Sequence, residues 1–117
     1  MNSVCIISRK PPYGSMDASE ALRHALGGVT NDLAVSLVLL DAGVHVARRA
    51  QDPSGTEYDS LAEGVNDCMD MDVAVYADSD SIKHEGLDGS ALVKGVKIID
   101  RSGLSGLIKE SDQTMVF

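Results

Sequence analysis

The chain's capacity for covalent chemistry rests on two cysteines, Cys5 and Cys68, three histidines and an uneven set of charges. A thiol carries sulfur or attacks a disulfide only as its thiolate, so the surroundings of each cysteine decide what it does. Cys5 falls inside an apolar run, residues 3–8, where an inert small hydrophobe is the expected role. Cys68 stands beside Asp67 and Asp70 on the apolar side of an acidic stretch. Burial and neighbouring negative charge both raise a thiol pKa, which again favours packing over reactivity. His24, His45 and His84 are scattered, so no catalytic triad, His–Cys pair or zinc shell of about four ligands is legible. No metal and no cofactor are expected. Arg9 and Lys10, just before a helix start, could hold a small anion or could simply be exposed, and neither G-x-G-x-x-G nor G-x-x-x-x-G-K-[ST] follows them. Asp41, in Asp41-Ala42-Gly43, reads first as turn chemistry, with a general base or metal ligand as the sharper alternative.

These groups sit in a chain of 117 residues, 44% hydrophobic and 24% charged, the size of one ordinary domain spanning 1–117. Between Asp52 and Asp88 eleven acids face a single base, Lys83, a local balance of −10 that leaves +2 for the flanks of a chain with net charge −8. That distribution argues against direct nucleic-acid binding, which calls for a basic face. The acids are scattered and lack the D-x-[DN]-x-[DN]-G loop, so they read as solvated surface rather than a calcium site. No apolar run reaches the ~18 residues of a membrane span and no signal peptide is recognisable, so a cytoplasmic location with reduced thiols is expected.

The elements that must position these groups follow from hydrophobic period. Residues 3–8 make a β-branched, continuously apolar strand, stopped by Pro11 and Pro12. Ala18, Ala21, Leu22, Ala25, Leu26 and Val29 then recur at helical spacing, with Asp17 and Glu20 spaced as a capping box and Gly27-Gly28 as the stop. Residues 33–40 read as a second buried strand, 44–49 stay ambiguous, and 51–56 read as an exposed loop. Tyr58, Leu61, Ala62, Val65, Cys68 and Met69 line one side of a second helix. Residues 73–76 form a third strand, 78–81 a polar loop before a short helical turn, 96–99 a fourth strand, 102–110 a weak helix, and 114–117 a fifth strand. Strands alternating with helices imply an α/β domain, a three-layer α/β/α sandwich on a mainly parallel five-stranded sheet. Its functional crevice belongs beyond the carboxyl ends of the strands.

The ordered pieces resemble the DsrE/DsrF/TusC group of sulfur-relay proteins, and within it the TusC/DsrF branch. The resemblance is carried by Pro12-Tyr13-Gly14 after the first strand, EALRHAL at 20–26 and DLAVSLVLLDAGV at 32–44. VYADS at 75–79, EGL at 85–87 and MVF at 115–117 complete it. It implies the same five-stranded parallel sandwich, assembly into homo-oligomeric trimers or hexamers or into hetero-oligomers with related DsrE-like subunits, and sulfur carried as a cysteine persulfide in tRNA thiolation or sulfur oxidation. It also implies a crevice lined by Pro12, Tyr13, Gly14, Asp41, Tyr76, Asp78 and Ser79. The branch's relay cysteine matches Tyr76, and a phenol forms no persulfide. Cys68, eight residues upstream, would serve only if the backbone brings it to the crevice. An accessory, noncatalytic subunit is therefore the leading expectation, with a Cys68 carrier supplied by a donor protein and a ligand- or anion-binding module as alternatives.

Overall fold

Along the first strand, β1 (Ser3–Ser8), the side chains alternate between two cores, as a pleated strand requires. Val4 and Ile6 join a large cluster with Ala18, Ala21, Leu22 and Ala25 of α1 (Asp17–Thr30), while Cys5 and Ile7 join a small one with Leu104. The computed structural model describes residues 2–12, 14–48 and 61–117. After α1 come β2 (Ala34–Leu39), a 3-10 segment (Asp41–Ala47), α2 (Leu61–Asp70), β3 (Ala74–Asp78) and α3 (Ser79–His84). A second 3-10 turn (Gly89–Ala91), β4 (Lys97–Ile99), α4 (Arg101–Glu110) and β5 (Gln113–Val116) complete the order.

The five strands form one sheet in the order β4-β3-β2-β1-β5, and all four pairings are parallel. The expected α/β/α architecture is therefore present, with α1 and α2 on one face and α4 on the other. The layers are unequal. Leu37 and Leu39 are wholly buried in the large cluster, each such side chain contributing about 2 kcal/mol of transfer free energy. On the other face Tyr76 and Leu40 remain partly buried around Val38.

Some local expectations need correction. Gly27-Gly28 does not end α1, which continues to Thr30. Gly28 is instead a close approach: a Cβ there would lie 2.8 Å from Val35 Cγ2 on β2, so the helix needs a bare backbone at that turn. The capping box is absent too, because the cap residue is Met16, and Glu20 pairs with Arg23 on the exposed face. The ambiguous stretch after β2 is 3-10 helix to Ala47, and Arg48 bridges to Leu92. The anticipated polar loop 78–81 is the end of β3 and the start of α3, capped by Asp78. The anticipated loop 51–56 and Tyr58 lie outside the described residues.

Candidate functional site

Parallel strands that all point one way bring their carboxyl ends to one edge, and there a crevice of about 850 Å³ opens. Arg9, Lys10 and Pro11 follow β1, Asp41 and Ala42 follow β2, and Asp80, Ser81, His84 and Glu85 belong to the α3 region after β3. Arg101 enters from the start of α4, and Val116 and Phe117 from the end of β5. The Arg9 N–H donates to the Phe117 carbonyl at 3.0 Å, and the Phe117 N–H to Ile7 at 2.8 Å, which fixes the β5 end beside the β1 loop.

Beneath the crevice runs a chain of hydrogen bonds that begins at a fully buried carboxylate. Asp78 Oδ2 accepts from the Ser81 N–H at 2.9 Å and from the Ser81 hydroxyl at 2.7 Å. The same hydroxyl accepts from the Asp41 N–H at 2.8 Å, tying α3 to the turn after β2. Asp41 holds a left-handed conformation, φ 53°, which aspartate tolerates better than most residues. Its Oδ2 accepts from Arg9 Nε at 2.9 Å. Both members of that ion pair are about half exposed, so it adds little stability and serves to orient the arginine. On the far side Arg101 Nε lies 3.4 Å from Asp78 Oδ1. His45 Nε2 meets Glu85 Oε1 at 3.0 Å, a second tie between the 3-10 segment and α3.

Neither thiol reaches this edge. Cys5 is wholly buried in mid-strand, and burial pushes its pKa up. Cys68 is wholly buried near the end of α2, its carbonyl accepting from Val73 N–H at 2.9 Å just before β3 begins. That places it at the amino edge of the sheet, opposite the crevice, with Sγ 3.9 Å from the Leu22 carbonyl. Burial, and next the charge of Asp67, push the Cys68 thiol up to about 11, so almost no thiolate exists near neutrality. The folded state thus keeps a proton that the unfolded chain releases from pH 9.0 upward, and this contribution to stability is full below that pH and lost as pH rises to about 11. Accordingly, the stability difference between wild type and Cys68→Ala in urea melts is expected to narrow across that window; a constant difference would show the thiol titrating normally.

Of the residues singled out in the sequence, Asp41 lines the crevice and Asp78 anchors its floor. Pro12 is half-buried just beyond the lining residue Pro11, and Gly14 is exposed with φ 87° in the same connection. Tyr13 lies outside the described residues. Ser79 opens α3 and borders a smaller surface pocket with Ile82 and Ile98, and Tyr76 is absent from the crevice lining. Tyr76 precedes the end of β3 by two residues and packs on the small core, with Lys97 Nζ 5.8 Å from its ring centroid. Ser81, His84, Glu85 and Phe117 went unnoticed in the sequence as site residues. The signal that could have found them is position, since each follows a strand or belongs to the connection after one.

Comparison with known proteins agrees with the fold. The sequence model of the DsrE/DsrF-like family matches residues 2–117. The intracellular sulfur oxidation protein DsrF of Allochromatium vinosum is 32% identical over an alignment 126 positions long, gaps included, covering 95% of this chain and 93% of the relative. The TusC homolog of Pseudomonas aeruginosa is 30% identical over 114 residues, covering 97% and 96%, and an uncharacterized protein of Methanocaldococcus jannaschii is 31% identical over 112 residues, covering 96% of each. The crystal structure of the ychN protein from E. coli superposes with a TM-score of 0.91 over the whole of both chains at 23% identity, which establishes the shared fold. With the family matched along nearly its full length and these relatives aligned end to end, the chain belongs to the DsrE/DsrF-like family.

Proposed function

We propose that this protein is an accessory subunit in intracellular sulfur transfer, supplying a crevice and assembly surfaces while the persulfide-bearing thiol resides on another chain. The observation that carries this reading is the sealing of both cysteines, each with no exposed surface, in a family whose relatives include a sulfur oxidation protein and a TusC homolog. Persulfide transfer needs a thiolate that a donor sulfur can reach in line. Cys68 is buried, faces away from the strand ends and holds its proton to about pH 11. On this reading Asp41 and Asp78 shape the crevice, with Pro12 and Gly14 on the connection after β1 and Ser79 at the start of α3.

The same reading gives the chain partners: further copies in a trimer or hexamer, or related DsrE-like subunits that carry the thiol, working in the cytoplasm on tRNA thiolation or sulfur oxidation. No helix among the described residues is long and apolar enough to cross a membrane. The test is intact-mass spectrometry of reduced protein after incubation with a cysteine desulfurase and cysteine, alone and beside a cysteine-bearing homologue. The expected result is that the folded chain gains no reducible sulfur and co-purifies with the loaded homologue. A reducible gain of one sulfur that Cys68→Ser abolishes would overturn the accessory role and make the chain a carrier.

A further inference from the structure

The cations of the crevice keep donors in hand, whereas its acids are mostly committed. Arg9 engages Asp41 through Nε, and Arg101 approaches Asp78 through Nε, so the two terminal amino groups of each guanidinium make no hydrogen bond among the described residues. Lys10 and His84 line the same cavity with no ion pair among the described residues. Against them, Asp41 is taken by Arg9 and Glu85 by His45, and Asp78 is buried against Ser81. Asp80 is the one lining acid without a partner among the described residues, and it faces solvent.

An arginine held by a carboxylate at Nε has its planar fork oriented before a ligand arrives, so less side-chain freedom is lost on binding. A fork of that kind matches paired oxygens, and two forks with an ammonium suit a double negative charge. We propose that the crevice binds a dianionic oxyanion of the sulfate or phosphate class, free or as the end group of a small molecule, held by Arg9, Arg101 and Lys10. Asp41 acts as a positioning residue that aims Arg9 through its Nε hydrogen bond, and Asp78 attracts Arg101 by charge across 3.4 Å. This site stands without the sulfur-relay reading, because a subunit with no part in sulfur transfer would bind the same ions.

The experiment is a heteronuclear NMR titration of the full chain with sodium sulfate, sodium phosphate and O-phosphoserine, sodium chloride being used to hold ionic strength constant. Saturable shifts are expected at the amides of Arg9, Lys10, Ala42 and Arg101, with a midpoint of about 1 mM. Lys10→Gln, which removes no internal contact, and Arg101→Gln are each expected to weaken binding about tenfold. Lys109→Gln, at the far end of α4, is expected to bind as the wild type does. Tighter binding of O-phosphoserine than of phosphate would assign the oxyanion to the end of a larger ligand, and equal binding would assign the free ion. Shifts that grow without saturating, or a Lys10→Gln variant as tight as the wild type, would overturn the proposal.

Discussion

Gly43→Ala is expected to cost about 4 kcal/mol or more, a large part of the ~5–15 kcal/mol that holds a domain of this size together. A Cβ at Gly43 would lie 2.1 Å from the Ser8 carbonyl oxygen, 2.9 Å from the Ser8 carbonyl carbon and 3.3 Å from Arg9 Cα. All three are backbone atoms, and the Ser8 oxygen is also the acceptor for the Leu40 N–H at 3.0 Å, so it cannot withdraw without breaking a sheet bond. The clash therefore cannot be relieved by a side-chain rotation, the usual escape in an overpacked core. It would wedge the 3-10 segment away from the end of β1 and open the floor of the crevice. Gly27→Ala is the matched control: nothing lies within 4 Å of a Cβ there, and the position is helical. That change is expected to raise stability by about 0.5–1 kcal/mol. Urea melts of both variants check the pair, and a Gly43→Ala protein as stable as the wild type would mean the two connections do not touch as described.

The second large effect is expected at Asp78→Ala, a loss of about 2–4 kcal/mol. The substitution strands the Ser81 N–H and hydroxyl, both buried and both now donating to Oδ2, and leaves a small hole beneath them. Asp78→Asn keeps an amide oxygen that can accept from both donors and should cost less than the alanine. Arg101→Gln removes only an exposed partner at 3.4 Å and should barely change stability, because solvent screens that end of the pair. The ranking Ala, then Asn, with Arg101→Gln near zero, can be read from thermal melts. Amide shifts in the Asp78→Ala protein should concentrate at Asp41 and Ala42, because the Ser81 hydroxyl that receives the Asp41 N–H has lost its own anchor. Equal losses for Ala and Arg101→Gln would mean that the ion pair, rather than the Ser81 contacts, stabilises the carboxylate.

Asp78 also marks where the sequence misleads. Strands were legible wherever an apolar run was continuous, because burial on both faces leaves no polar position to interrupt it, and β1 was read to the residue. β3 continues through Ala77 to Asp78, two residues past the expected end, because the carboxylate is satisfied internally by Ser81 and can be buried at a strand terminus. Tyr76, which the resemblance put in the crevice, packs its side chain against the small core. Gly28 misled for a related reason: its cause is the tight crossing over Val35, a contact between residues no local pattern connects. The loops after β1 and β2 were legible as parts of the site because strand ends define the functional edge. The position of His84 after β3 was open to the same reading, but its convergence with Arg9 was not, since that depends on the strand order, and strand order is a property of long-range pairing.

That order has a kinetic consequence. β5 docks on the outer side of β1, and the Ser3 N–H donates to the Asp112 carboxylate across 109 positions of chain. Loop-closure entropy grows with the logarithm of that separation and is offset only when the strand pair zips. The β1, β2 and β3 pairings, linked by α1 and α2, span far shorter stretches and can assemble first. Until residues 113–116 leave the ribosome, β1 therefore carries an open edge of unpaired donors and acceptors, a template for a stray strand of another nascent chain.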